Sequence, residues 1–158
     1  TYQQRYWVND TYWDVAEGPV FLYICGEWTC SPNSVDSYPF MVGRENNAML
    51  ISLEHRYYGN PAFADWSTHN LEFLTSEQAL ADIAYFIDSK NAELNLAHGR
   101  KPDWVLVGGS YPGALTAWFK SKYPDHIIGG WSSSGVINAV NNFDNFDYSN
   151  YNSTLKSG

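Results

Sequence analysis

Trp104-Val105-Leu106-Val107-Gly108-Gly109-Ser110-Tyr111-Pro112-Gly113, followed by Ala114-Leu115-Thr116-Ala117-Trp118-Phe119-Lys120, decides the fold. An apolar, β-branched run enters a glycine pair, and a helix-period apolar pattern leaves on the far side of one serine. The stretch predicts a strand, a sharp turn and a helix, with Ser110 at the bend. A serine hydroxyl is a weak nucleophile until it stands exposed beside a general base, and a strand-to-helix elbow also points the first helical amides at the space where an oxyanion forms. Close approach of strand and helix demands glycine near the bend. Gly108 meets that demand two residues before the serine; two residues after it stands Pro112, with Gly113 one place later, so the G-x-S-x-G pattern is altered. Proline, with a fixed helical φ and no amide hydrogen, is tolerated in a first helical turn. The alternative is an ordinary βα turn in which Ser110 caps the helix.

Upstream, Val20-Phe21-Leu22-Tyr23-Ile24 and Ala48-Met49-Leu50-Ile51-Ser52-Leu53 are continuous apolar runs of the kind buried on both faces of a parallel sheet. A strand or hairpin is expected over residues 3–12, with a turn at Asn9-Asp10, and a short helix over about 39–47. Thr75-Ser76-Glu77-Gln78 has capping-box spacing, and Ala79, Leu80, Ile83, Phe86 and Ile87 share one helical face, predicting a helix over about 76–91. Residues 27–38 and the stretch holding Pro61, Trp66 and His69 read as irregular. Ile127-Ile128-Gly129-Gly130-Trp131-Ser132-Ser133-Ser134-Gly135 reads as a further strand and a small-residue turn, and from Asn138 onward periodicity is weak.

Strands alternating with helices imply a parallel, doubly wound sheet, and a serine elbow in such a sheet points to the α/β-hydrolase arrangement. Gly108-Gly109-x-x-x-Gly113 matches neither G-x-G-x-x-G nor a phosphate loop with its lysine, which argues against a nucleotide site. The 158 residues suit one domain. A net charge of −8 argues against nucleic acid or an anionic membrane as partner. No stretch of about eighteen apolar residues predicts a membrane span. Neither a metal nor an organic cofactor is expected: Cys25 and Cys30 have no histidine within twenty residues, so zinc is disfavoured, whereas a disulfide between them is feasible. Asn9-Asp10-Thr11 and Asn152-Ser153-Thr154 are acceptor sequons for N-linked sugar, which fit a secreted or lumenal protein.

With the elbow, Glu54-His55-Arg56-Tyr57-Tyr58-Gly59 and Thr75-Ser76-Glu77-Gln78-Ala79-Leu80-Ala81-Asp82 together, the sequence resembles the serine carboxypeptidase-like (S28) family of prolyl peptidases, which contains prolyl carboxypeptidase, dipeptidyl peptidase II and thymus-specific serine protease. The resemblance runs from Gln4-Arg5-Tyr6-Trp7 to about Ile137. Tyr111-Pro112-Gly113 is closer to the thymus-specific branch, and Cys25-Gly26-Glu27-Trp28 stands where relatives carry a Gly-Asn-Glu-Gly or Gly-Gly-Glu-Gly loop. The resemblance implies a secreted or lysosomal serine peptidase that cleaves after proline through an acyl-enzyme on Ser110. The Tyr111 amide and an amide at Gly26 or Glu27 would form the oxyanion hole. It further implies that residues 1–137 are the N-terminal part of an incomplete α/β-hydrolase domain, and 138–158 a loop or the start of a helical insertion not present in this chain.

The acid and base of such a triad follow the serine in sequence. Downstream stand only His126, at the far end of the elbow's helix, and the acids Asp125, Asp144 and Asp147, which places the partners of Ser110 in the remainder of the same polypeptide or in a second processed chain. Glu27 has two readings, a carboxylate that binds a peptide amino terminus or a salt bridge to Arg56. Trp28 is a candidate for substrate contact, since a proline ring packs on an indole face, but Trp28, Trp66 and Trp131 also suit a core. His55 and Arg56 read as a buried pair bracing the crevice, and His69 and His98 as solvated. The rival functions are a lipase or esterase of the same fold and an inactive homologue serving as a binding subunit.

Overall fold

The computed structural model describes residues 2–32, 38–59 and 67–157; Pro61 and Trp66 lie outside them. The two apolar runs seen in the sequence pair with each other. Strand β2 (Val20–Ile24) lies parallel to β3 (Met49–Leu53), with Leu22 opposite Ile51. On its other side β2 lies parallel to β4 (Trp104–Gly109), with Tyr23 opposite Val107, and β4 lies parallel to β5 (Gly129–Ser133). The first strand, β1 (Tyr6–Asn9), runs antiparallel along the outside of β3, with Tyr6 opposite Leu53. The order is β1-β3-β2-β4-β5, a mixed sheet in which four strands are parallel. Of residues 3–12 only Tyr6–Asn9 are strand, and they form no hairpin, because the partner of β1 lies more than forty residues on.

Three helices make the crossovers. Helix α1 (Tyr38–Glu45) joins β2 to β3 on one face, where Phe40, Ala48, Phe21, Leu50 and Val107 form a small cluster. Helices α2 (Ser76–His98) and α3 (Tyr111–Lys122) cover the other face. There Leu80, Ile83, Ile87, Leu115 and Phe119 pack on Leu22, Ile24, Ile51 and Leu106 in the main core. A fully buried side chain of this size contributes roughly 1.5–3 kcal/mol. Because β3 lies on one side of β2 and β4 on the other, the chain reverses its direction of winding at β2. The segments that leave β2 and β4 therefore turn to opposite faces of the sheet, and the carboxyl ends of these two strands form the switch point at which open α/β sheets bind ligands.

Helix α2 starts where the sequence indicates, with the Thr75 hydroxyl accepting from the Gln78 amide at 3.2 Å. It runs to His98, beyond the expected residue 91, and closes at Gly99 with φ 71°. The apolar pattern fades because Lys90 occupies a core-facing position. Its stem is buried while its ammonium lies 5.1 Å from the Tyr6 ring centre and 3.0 Å from Glu93. Leu94 then resumes the buried face. Beyond β5, helix α4 (Asp144–Ser157) forms in the stretch of weak periodicity and buries none of its residues.

Candidate active site

The last residue of β4 and the first of α3 are separated by Ser110 alone, which has φ 59° and ψ −126°. A non-glycine residue in this region costs of order 1–3 kcal/mol, so the neighbours must hold it. They do so from three sides. The Ser110 amide donates to the Ser133 carbonyl at 2.9 Å, and the Ser110 carbonyl accepts from Ala114 at 3.1 Å. The Ser132 hydroxyl donates to the Gly113 carbonyl at 2.7 Å. Glycine is required at two points: a β-carbon on Gly108 would run into the Pro112 carbonyl, and one on Gly113 would lie 2.8 Å from the Ser133 carbonyl. The altered elbow pattern is thus accommodated, with Pro112 buried in the first turn and the close approach to β5 falling on Gly113.

Ser110 stands at the N-cap position of α3, yet its side chain makes no capping hydrogen bond and the residue is exposed at the rim. That departs from the ordinary capped βα turn, in which a serine cap keeps extended backbone and spends its oxygen on an amide. Tyr111 is the first residue of α3. Amides of a first helical turn have no partner within the helix and carry its positive end. An exposed hydroxyl beside such an amide is an arrangement able to attack a carbonyl and stabilise the resulting oxyanion.

The end of β2 comes to the same rim. Gly26 and Ser110 each lie three residues beyond the paired Tyr23 and Val107. Cys25 bonds through its amide to the Leu53 carbonyl at 3.0 Å and forms a disulfide with Cys30. Trp28 lays its indole over the α-carbon of Gly26 and remains 45% exposed. The Glu27 carboxylate is exposed; burial lowers the His55 pKa and raises those of Tyr58 and Tyr111, and the Glu27 charge opposes the first shift and adds to the other two. Of the two readings of Glu27, the bond to Arg56 is not formed. Arg56 is instead bidentate to Asp82, at 2.7 Å through both Nε and Nη2, and donates through Nη1 to the Phe73 carbonyl at 2.6 Å. Glu54 is taken by Arg5, at 2.9 and 2.7 Å. The buried, hydrogen-bonded pair expected of His55 and Arg56 is formed through the Arg56 carbonyl, while the Arg56 side chain takes Asp82 as its partner.

His55 is 5% exposed. Its Nδ1 donates to the Arg56 carbonyl at 2.8 Å, which fixes the proton on that nitrogen, so Nε2 at 3.1 Å accepts from the Tyr111 hydroxyl. The same hydroxyl is 3.5 Å from the Ser76 hydroxyl at the start of α2. Burial lowers the His55 pKa, favouring the neutral ring, and burial raises that of Tyr111. With both nitrogens engaged, His55 is not the base for Ser110. The phenol of Tyr111, with His55 and Ser76, was invisible as a unit in the sequence, where the first two stand 56 positions apart.

The other singled-out residues lie elsewhere. His126 faces Asp88 at 3.4 Å near the starting end of β4, opposite the elbow, and Asp125 is exposed beside it. Asp144 and Asp147 lie in the first turn of α4. His69 is exposed next to Glu72, and His98 lies edge-on to Trp13. Trp131 is half-buried in β5, next to the smaller cluster. Asn9 ends β1, with Oδ1 accepting from the Thr11 amide at 3.1 Å, and Asn152 lies in α4. Among the described residues no group of three or more His, Cys, Asp or Glu is arranged to hold a metal ion, and no helix is long and apolar enough to cross a membrane.

Comparison with known proteins gives this geometry its relatives. "Probable serine protease EDA2" of Arabidopsis thaliana is 40% identical over 152 residues, covering 92% of this chain and 31% of that protein. The thymus-specific serine protease of Homo sapiens is 36% identical over 157 residues, covering 98% and 29%. The lysosomal Pro-X carboxypeptidase of Homo sapiens is 39% identical over 145 residues, covering 87% and 28%. The chain thus spans about three tenths of the length of these relatives. The family model described as Serine carboxypeptidase S28 matches residues 1–156, and the chain belongs to that family.

Proposed function

We propose that this chain carries the nucleophile of a serine peptidase of α/β-hydrolase type that cleaves peptide bonds after proline, with Ser110 forming the acyl-enzyme. The observation that carries the proposal is the Ser110 elbow: a strained, uncapped and exposed serine at the carboxyl end of a parallel strand, next to the first amide of a helix. In the proposed reaction the Ser110 oxygen attacks the scissile carbonyl, and its proton passes to a histidine outside this chain, oriented by an aspartate also outside it. The amides of Tyr111 and of Gly26 or Glu27 hold the oxyanion, and the leaving amine takes the proton as the acyl-enzyme forms. Loss of one oxyanion donor costs roughly 3 kcal/mol of barrier.

Proline preference rests on the Pro-X carboxypeptidase relative, and Trp28, exposed at the rim, offers an indole face to a proline ring. Glu27, exposed and free of Arg56, is assigned to a cationic group of the substrate. A secreted or lysosomal setting is supported by the Cys25–Cys30 disulfide, the sequons at Asn9 and Asn152 and the lysosomal relative.

The test is fluorophosphonate labelling of the full-length protein, with the adduct mapped by peptide mass spectrometry. An adduct on Ser110, together with hydrolysis of a proline peptide lost in Ser110→Ala, is the expected result. No adduct on Ser110 overturns the proposal in favour of a binding subunit, and hydrolysis of acyl esters but not of proline peptides overturns it in favour of an esterase.

A further inference from the structure

Tyr111 is bound at both ends. Its main chain begins α3 directly after the elbow, and its phenol reaches the carboxyl end of β3 and the first turn of α2, where His55 Nε2 accepts its proton at 3.1 Å and Ser76 lies at 3.5 Å. His55 cannot swing to follow it, because Nδ1 is tied to the Arg56 carbonyl at 2.8 Å. The Arg56 side chain is in turn clamped by Asp82 of α2 and by the Phe73 carbonyl. A continuous run of buried and part-buried hydrogen bonds therefore passes from α2 through Arg56 and His55 to the residue after Ser110.

The elbow needs such a tether. A backbone held at φ 59° relaxes unless the surrounding structure over-determines it, and relaxation would rotate the peptide that presents the Tyr111 amide. An oxyanion donor works only within a few tenths of an ångström of its position, so a small rotation is felt in the rate.

We infer that His55 is a positioning residue for catalysis: by accepting the proton of the Tyr111 phenol, it holds the first turn of α3 at the angle at which the Tyr111 amide meets the oxyanion. The inference rests on the reading of Ser110 as nucleophile. The phenol itself is not an oxyanion donor, since its proton is committed to His55. The Asp82–Arg56 pair, one step further back, holds His55 through the Arg56 backbone.

The experiment uses the full-length protein and three variants, Tyr111→Phe, His55→Leu and His55→Gln, with a proline-containing peptide anilide as substrate. Fluorophosphonate titration of Ser110 counts competent sites, so that loss of folded protein is not read as loss of rate. Tyr111→Phe removes only an oxygen and keeps the ring in place. It is expected to lower kcat roughly tenfold per titrated site with KM within about twofold, because the affected amide contacts the transition state and not the ground state. His55→Leu should match it, and the double variant should fall no further than either single one. His55→Gln, whose Oε1 can accept the phenol proton, should recover most of the rate. A wild-type kcat in Tyr111→Phe overturns the inference, as does a raised KM with kcat unchanged, which would make the phenol a substrate contact. If wild-type Ser110 takes no label, it is the nucleophile reading that fails.

Discussion

The amide of Ser110 donates to the carbonyl of Ser133 at 2.9 Å, so the ladder between β4 and β5 continues one residue past the last paired position, Gly109 with Ser133. The serine is thereby gripped by the sheet at the residue where its backbone has already turned to φ 59°. Strand β5 serves the site by holding that turn, and the positive φ is confined to the bend, with none in β4.

This strain predicts an inversion of the usual cost of glycine. Glycine adopts positive φ freely, so Ser110→Gly should unfold at higher urea concentration than Ser110→Ala, by about 1 kcal/mol, although both lack the hydroxyl. Equal midpoints for the two variants would mean that the elbow stores no strain.

The two glycines before the serine should behave differently. At Gly108 an added methyl group meets the Pro112 carbonyl, which is backbone and cannot step aside, whereas at Gly109 the nearest atom lies 3.9 Å away. Gly108→Ala should lose roughly 1–3 kcal/mol of stability, and Gly109→Ala about 0.5 kcal/mol or less. Similar unfolding midpoints for the two would refute the close approach of strand and helix.

Arg56 and Asp82 lie 26 positions apart and are 7% and 17% exposed at their side chains. Asp82→Asn leaves a buried guanidinium without its charge partner and should cost about 3 kcal/mol. Replacing both, as Arg56→Met with Asp82→Leu, should cost less than the sum of the single changes, which a double-mutant cycle measures. Additive losses would show that the pair does not act as a unit.

His55 predicts a pH dependence. Burial holds its pKa below the ordinary 6.5; the Arg56 charge lowers it further, while the bond to the Arg56 carbonyl and the charges of Asp82 and Glu27 oppose the shift. Tyr58, Tyr111 and Ser76 complete its polar surroundings. Above pH 6.5 the ring is neutral both folded and unfolded, and no stability is lost. As pH falls below that value the unfolded chain takes up a proton that the folded protein resists, so stability drops toward the lowered folded value. His55→Gln removes this slope but keeps that of the carboxylates. Urea unfolding at about pH 7.5 and 5.5 should show a smaller loss in the variant, and an equal loss would place His55 in water.

Each strand and helix that frames the site could be read locally. Val20–Ile24 and Met49–Leu53 are apolar without interruption because both faces of a parallel strand are covered, and the Thr75 cap set the start of α2. The end of α2 was missed because Lys90, a charged residue, fills a core-facing position with its stem. Whether Glu27 pairs with Arg56 was undecidable in one dimension, because it depends on Asp82, which reaches Arg56 only when α2 packs beside β3.

The sequence alone determined the elbow at Ser110, since a glycine two residues before a serine, and a proline and glycine after it, specify backbone geometry through sterics that act over a few residues. Only the tertiary structure decided that the Tyr111 phenol would meet His55, that Arg56 would belong to Asp82, and that the rims of β2 and β4 would lie side by side. Those pairings depend on strand order and register, which arise when distant apolar faces are buried together and leave no trace in local spacing.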